Sequence, residues 1–296
     1  MTEVTIVIPV YNRATYLPRL FRSLQTVSYE GKRAILVDNG SEDGSWTLCQ
    51  EFARSANFPV QVLQEPAQGA SHARNAGLQA CQTPWVYFFD SDDELSPDFL
   101  DKVMPLCPGH DAVFLPTRMI LPDGQARVRP FQPVFSASYQ ILSSMLNSPS
   151  MLLRTDWLRN LGGWDAQLSV WDDWELGIRV LLAQPRARWY DGEAFHSLYV
   201  HGNSITGPSM SHNLEGKIAC LRKVQSMLQS RAERLSLYLR TRILEGELRK
   251  EACPAILTGF DTGISPIYKI IGSCLSTYVR LGGRGAWRVA TWFVKQ

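Results

Sequence analysis

The sequence predicts an α/β protein built on a mostly parallel sheet flanked by helices. Three observations carry that prediction. Short runs of β-branched and aromatic residues recur at Val4 to Val10, Ala34 to Val37, Val60 to Leu63 and Trp85 to Phe89, the signature of buried strands. Segments with apolar residues at helical spacing lie between them, so strand, turn and helix alternate from residue 4 to 100, as in parallel sheets with helical crossovers. Three of the strands end in polar residues: Tyr11 and Asn12, Asp38 and Asn39, Asp90 and Asp92. Parallel strands bring those ends to one sheet edge, where open α/β sheets bind ligands.

The first run is almost uniformly β-branched, as in a strand covered on both faces. Pro9 has no N–H, so the strand should end about there, with Tyr11-Asn12-Arg13 as a loop. Leu17, Leu20, Phe21 and Leu24 predict the first helix. The second strand leads into a polar turn, Asp38 to Ser45, with Ser45 expected to cap a helix whose inner face is Trp46, Cys49 and Ala53. After the third strand, Gly69 to Ala80 predicts a small-residue helix with Ala73, Ala76, Gly77 and Ala80 inward.

The fourth strand runs straight into Asp90, Asp92, Asp93 and Glu94. Asp90 and Asp92 are two apart, so an extended backbone would send both to the same side. That pairing suits a hard divalent cation carrying a diphosphate. The plainer alternative is an acidic loop capping a helix that begins at Ser96-Pro97-Asp98.

Ala112 to Leu115 predicts another strand, after which five prolines between 116 and 149 leave Pro116 to Ser150 without a clear period. Gly162-Gly163-Trp164-Asp165 is a turn. Trp171-Asp172-Asp173-Trp174-Glu175-Leu176 opens a helix with Leu176, Val180 and Ala183 inward. Its acids either complement the helix dipole or, walled by two tryptophans, line an acceptor site for a ring-shaped polyol. His201, in Tyr199-Val200-His201-Gly202-Asn203-Ser204, is either structural or a ligand.

A length of 296 residues with 45% apolar composition is enough for one large domain or two small ones, and a net charge of +2 gives no bulk attraction to nucleic acid. Six scattered cysteines without a Cys-x-x-Cys pair predict reduced thiols in a cytoplasmic protein. No Gly-x-Gly-x-x-Gly follows the first strand, which argues against a dinucleotide dehydrogenase, and no P-loop pattern occurs. Leu214 to Lys250 predicts helix, with Ile218, Leu221, Val224 and Leu228 on one stripe. Thr262 to Gln296 holds no acid, and Lys269, Arg280, Arg284, Arg288 and Lys295 alternate with aliphatic and aromatic residues. That pattern fits a peripheral, interfacial membrane helix, or a docked helix with a solvated basic face. The division expected is 1–212 for the α/β domain and 213–296 for a helical, basic extension.

In their order, several pieces resemble the family 2 glycosyltransferases, inverting enzymes with the GT-A fold. They are Ile8 to Arg13, Val37 to Ser41, Gly69 to Gly77, Phe89 to Asp93, Gly162 to Asp165, Asp172 to Leu176 and His201 to Ile205. The resemblance spans residues 3 to 207. It implies that Pro9 and Tyr11 border a nucleobase, with Arg13 also on the nucleotide, and that Asp38 and Asn39 read base and ribose. It implies Arg74 on the diphosphate, Asp90 near the ribose or a metal-bound water, and Asp92 on the metal, Mn²⁺ or Mg²⁺. Asp173 matches the general base, and His201 matches a late histidine that meets metal or diphosphate.

Two departures stand out: Asp38-Asn39 replaces the usual pair of acids, and Asp172-Asp173-Trp174-Glu175 replaces Glu-Asp-Trp-Asp. The activity implied is metal-dependent, inverting transfer from a nucleotide sugar, with UDP favoured, to a hydroxyl of a glycan or lipid-linked acceptor. The alternatives are a catalytically silent nucleotide-sugar-binding module and a nucleotidyltransferase. The latter needs a glycine-rich basic loop after the first strand, and Tyr11-Asn12-Arg13 is not one.

Overall fold

The computed structural model describes residues 2–129, 131, 136–200, 209–253 and 255–294. They group into two compact units, one drawing on 1–133, 146–169 and 183–201, the other on 134–145, 170–182 and 202–296.

The first unit is built on a seven-stranded sheet of order β3-β2-β1-β4-β8-β5-β9. Its strands are β1 (Val4–Val10), β2 (Lys32–Asp38), β3 (Val60–Gln64), β4 (Trp85–Phe88), β5 (Ala112–Phe114), β8 (Met151–Arg154) and β9 (Ala187–Trp189). Only β8 runs antiparallel, between β4 and β5. The crossovers are α1 (Leu17–Thr26), α2 (Ser45–Ser55) and α3 (Ala70–Ala80), followed by short α4 (Phe99–Val103) and α6 (Thr155–Asn160). A second sheet of order β10-β6-β7 joins β6 (Thr117–Ile120), β7 (Ala126–Val128) and β10 (Phe195–Tyr199). Ile6, Ile8, Leu20, Leu24, Tyr87, Phe89, Phe99 and Phe195 share one buried cluster. The mostly parallel α/β class expected from the sequence is the one found.

Several local expectations are corrected. β1 runs through Pro9 to Val10, with Pro9 opposite Val37. Its pairing with β4 stops at Val7 opposite Phe88, so beyond that point only β2 borders it and a proline is tolerated. Ser45 is the first residue of α2 rather than its cap; that place falls to Gly44, at φ 87°. The inner face of α2 is Ser45, Cys49 and Phe52, and that of α3 is Ser71, Ala73, Arg74, Gly77 and Leu78. Gly77 lets α3 lie against β1: a Cβ there would collide with Cγ1 of Val7. Gly77→Ala should therefore lower stability by about 1–3 kcal/mol, overpacking outweighing alanine's helix preference. A denaturant midpoint at or above wild type would contradict this.

The second unit is helical. It comprises α5 (Ala137–Ser143), α7 (Asp172–Leu182), α8 (Leu214–Met227), α9 (Arg231–Lys250), α10 (Pro266–Arg280) and α11 (Ala286–Val294). Leu142, Leu235, Leu239, Ile243, Leu275, Val279, Ala286 and Ala290 form its core. The helical stretch expected from Leu214 to Lys250 is divided in two, because Ser230 starts a new helix. Its Oγ accepts from the Glu233 N–H at 3.1 Å while Glu233 accepts from the Ser230 N–H at 3.0 Å, a reciprocal capping box. Ala183, expected inside, is exposed and lies beyond α7. Among the described residues no helix is long and apolar enough to cross a membrane.

Candidate active site

The loops that leave β1 and β2 are tied together. Asn12 takes a positive φ of 51°, which lets its N–H donate to Ser41 Oγ at 3.0 Å while its Oδ1 accepts from the Glu42 N–H at 2.8 Å. The next two amides follow: Arg13 N–H donates to Ser45 Oγ at 2.8 Å and Ala14 N–H to Asp43 Oδ2 at 2.9 Å. Although burial acts to raise it, Asp43 is held below the usual carboxylate range by the Ser45 hydroxyl and by the backbone N–H groups of Ala14 and Ser45. Tyr11 is carried on this clamp half-exposed. Pro9, Tyr11 and Arg13 thus belong to one fixed edge. No spacing in the sequence marks the clamp residues Asn12, Ser41, Asp43 and Ser45 for this task.

Asp38 ends β2, Asn39 follows it, and both are buried. Asp38 Oδ2 accepts from the Ser41 N–H at 3.2 Å. Its Oδ1 is buried and has no hydrogen-bond partner among the described residues. A buried carboxylate oxygen without a donor costs on the order of 1–3 kcal/mol or more. Asn39 is different. Its Nδ2 donates to the carbonyls of Glu65 (2.8 Å) and Ala67 (2.7 Å), and its Oδ1 accepts from the Gly69 N–H at 2.8 Å. The amide staples the loop between β3 and α3, and Asp38 is left as the group with an open acceptor.

Arg74 and Asp90 meet in an ion pair of 2.8 Å, Nη2 to Oδ1. The guanidinium is buried and lies over the Trp164 ring, 4.4 Å from its centre. Trp164 is held in turn by Asn75, whose Nδ2 donates to the Trp164 carbonyl at 2.8 Å and whose Oδ1 accepts the Trp164 N–H at 2.9 Å. Gly163 has a φ of 65°, and a Cβ there would lie 2.6 Å from Asn75 Oδ1. The Gly162-Gly163-Trp164-Asp165 turn is therefore the platform on which Arg74 is presented. Asn75 sits within the Gly69 to Gly77 stretch, yet spacing alone gives it no function.

Residues 90–93 form a turn, with the Asp93 N–H donating to the Asp90 carbonyl at 3.4 Å. This corrects the extended backbone expected from Asp90 to Asp92. The acids do not cap α4 either: Ser96 Oγ accepts from the His196 N–H at 2.9 Å, and Asp98 at the helix start makes no side-chain cap bond. Asp92 Oδ2 lies 3.5 Å from Arg13 Nη2, and its carbonyl accepts from Arg19. Asp93 is buried, and its carboxyl is raised well above the usual range by desolvation first, then by the charges of Asp90 and Asp92.

β10 braces this turn. Tyr199 N–H donates to Asp93 Oδ1 at 2.8 Å, its hydroxyl donates to Glu94 at 2.9 Å, and Arg19 lies 3.7 Å over its ring. Beneath, His196 sits among Tyr87, Phe89, Phe99 and Phe195 and is kept neutral, its pKa lowered to about 3 chiefly by burial. Arg19 and His196 belong to no motif, and Tyr199, although it opens the stretch that holds His201, shows its bracing role only through three-dimensional pairing.

Among the described residues no group of three or more His, Cys, Asp or Glu is arranged to hold a metal ion. Asp90 and Asp92 nonetheless offer hard oxygen donors on one turn, and their combined field on Asp93 is the crowding a cation relieves. One or two carboxylates plus substrate phosphates is a common setting for Mg²⁺. The residues present fit such an ion. His201 lies outside the described residues.

In the second unit, Asp172 and Asp173 open α7, both partly buried. Asp172 Oδ1 accepts the Asp173 N–H at 3.1 Å, and Asp173 Oδ1 accepts the Trp174 N–H at 2.7 Å. Glu175 is fully buried, and its two oxygens take Arg179 Nε and Nη2 at 2.8 Å each. The rings of Trp171 and Trp174 meet edge to face at 5.6 Å. Trp171, at φ 61°, sets the direction of entry into the helix.

The model of a family described as "Glycosyl transferase family 2" matches residues 5–155. A pre-mycofactocin glycosyltransferase of Mycobacterium tuberculosis is 30% identical over 199 residues, 63% of this chain and 41% of that protein. The glycosyltransferase GlyA of Streptococcus pneumoniae is 35% identical over 101 residues, 34% of this chain and 14% of the relative. The chain thus spans less than half the length of these two relatives. Among solved structures, S. aureus TarS 1-349 superposes with a TM-score of 0.63 at 15% identity, over 100% of this chain and 92% of the other. The mannosyltransferase PcManGT of Pyrobaculum calidifontis, in complex with GDP-Man and Mn²⁺, gives 0.61 at 15% identity, over 99% and 88%. These likenesses show the shared fold.

Proposed function

The chain belongs to glycosyl transferase family 2, and on that footing we propose that it moves a sugar from a UDP-sugar to a hydroxyl of a glycan or lipid-linked acceptor, with inversion. The observation that carries the donor choice is Asp38 Oδ1, buried at the end of β2 with no donor among the described residues. Uracil N3–H is a donor that would satisfy it, and Tyr11, one residue past the end of β1, offers a ring for stacking. TarS 1-349 has been solved with UDP-GlcNAc and PcManGT with GDP-Man, so the uridine choice rests on Asp38 and Tyr11 and not on the shared fold.

In this reading Arg74 aims guanidinium N–H groups at the diphosphate from its Trp164 platform. Asp92 and His201 would hold Mg²⁺ or Mn²⁺, with Asp90 near the ribose or a metal-bound water, and the ion would offset the charge that builds on the leaving diphosphate. Asp173 takes the proton from the acceptor hydroxyl. That oxygen bonds to the anomeric carbon as the bond from carbon to diphosphate breaks, and UDP leaves with the electron pair. The loop after β1 is held by side chains of Asn12, Ser41, Asp43 and Ser45, not by a glycine-rich basic cradle, which disfavours a nucleotidyltransferase.

Calorimetry with UDP, GDP and CDP tests the donor assignment. UDP should bind tightest. Asp38→Asn should weaken UDP by about ten- to a hundredfold, the scale of a hydrogen bond to a charged group. The fold should stay intact, because the amide oxygen of the substituted side chain can still accept from the Ser41 N–H. Equal affinity for GDP, or unchanged UDP affinity in the variant, would remove uridine from the reading.

A further inference from the structure

We propose that the hairpin of α10 and α11 is a docking surface for an anionic lipid bilayer. Ile267, Ile270, Cys274 and Tyr278 follow helical spacing along one face of α10, Leu281 continues that line just past the helix end, and all five are exposed. Ile267 is 63% exposed, Ile270 65% and Leu281 76%; on α11, Trp292 is 57% exposed. The opposite side of the hairpin is spoken for: Leu275, Val279, Ala286 and Ala290 are buried in the helical core with α9. The outward apolar residues are therefore surplus to folding.

The turn between the helices is shaped rather than slack. The Tyr278 hydroxyl donates to the Arg284 carbonyl at 3.0 Å, and its ring fills the space a Cβ on Gly283 would need. Leu281 stands on that turn between Arg280 and Arg284, all three exposed.

Charge selects the occupant. The described part of the segment from Thr262 onward contains no acid, and among the described residues Arg280, Arg284 and Arg288 have no ion-pair partner. Lys269 is matched by Asp261 at 2.8 Å and adds little. Exposed aliphatics and a tryptophan beside uncompensated arginines are what a surface needs to enter the headgroup layer of an anionic bilayer. A protein partner of ordinary interface composition would leave three cations without counter-charges.

Co-sedimentation of the full chain with vesicles tests this. The protein should pellet with phosphatidylglycerol/phosphatidylcholine vesicles at low salt and stay in solution with phosphatidylcholine alone. The triple change Arg280→Gln, Arg284→Gln and Arg288→Gln should lower partitioning about a hundredfold, at roughly 1 kcal/mol per cation. Ile267→Ser with Ile270→Ser, and Leu281→Ser separately, should each lower it at least about tenfold with unchanged circular dichroism and UDP affinity. Equal binding to neutral vesicles, or no binding to either, would overturn the proposal. So would an oligomer in sedimentation equilibrium that the serine variants dissociate while vesicles are ignored, since the face would then join copies of the chain.

Discussion

Asp92→Asn should abolish metal-dependent UDP binding and leave the protein folded. The turn that carries Asp92 is held by contacts the substitution does not touch. The Asp92 carbonyl, not its carboxylate, accepts from Arg19, and Asp93 is anchored by the Tyr199 N–H. The carboxylate itself faces the Arg13 guanidinium, 3.5 Å away. Removing its charge also relieves Asp93, whose carboxyl is raised first by burial and then by Asp90 and Asp92. The lost ion pair with Arg13 and the relief of Asp93 oppose each other, so stability should change little.

Binding should fall. An amide is a far weaker donor to a hard cation than a carboxylate. Of the two turn carboxylates that this reading sets toward the ion only Asp90 remains, since Asp93 is buried against the Tyr199 N–H, and Asp90 already shares an oxygen with Arg74 at 2.8 Å. Titration of UDP into the variant with Mn²⁺, with Mg²⁺ and with chelator separates the outcomes. The expected result is a residual affinity that no longer depends on metal. Wild-type affinity that still rises with Mn²⁺ would place the metal elsewhere.

How much of this is legible in the sequence depends on the range of the interaction. β1, β2 and β4 announce themselves because each is a short, dense apolar run, and parallel topology alone assigns their polar ends to one edge. β8 does not. Met151 to Arg154 is four residues long, follows an irregular stretch, and owes its place to pairing with β4 and β5. Arg74 and Asp90 each stand out separately, but nothing local says that they pair or that Trp164, ninety residues after Arg74, is the surface under the guanidinium. The resemblance makes Asn39 a base-contacting residue; its three hydrogen bonds to the 65–69 loop are visible only once β3 returns beside β2. The break at Ser230 is a local signal, since Ser230-Arg231-Ala232-Glu233 is a capping-box pattern, but the apolar stripe that leads up to it masks the break. Segments 134–145 and 170–182 group with the late helices, and no period in their own sequence shows it.

Asp173→Asn should cut sugar transfer by about a hundredfold or more, the scale of a positioned base, with donor affinity nearly unchanged. An inverting transfer is one displacement and needs one proton acceptor for the attacking hydroxyl. Asp90 is held by Arg74 and Asp92 by Arg13, and both serve the diphosphate in this reading. Glu175 is excluded because it is fully buried with both oxygens on Arg179.

Asp172 and Asp173 remain, and their bonds separate them. Asp172 Oδ1 accepts the N–H of Asp173, so Asp172 helps to fix the residue beside it. An asparagine at 172 keeps that acceptor, and Asp172→Asn should cost only a few-fold. At 173 the amide oxygen can likewise keep the Trp174 N–H, now at 2.7 Å, so the start of α7 and its edge-to-face tryptophans survive. What an amide does not provide is a basic oxygen, and the substitution therefore isolates proton transfer from structure. Initial rates of transfer, read beside UDP calorimetry and thermal melting on the same samples, distinguish the two. Near wild-type transfer at 173, or a loss of transfer that tracks a loss of UDP binding, would take the base role away from Asp173.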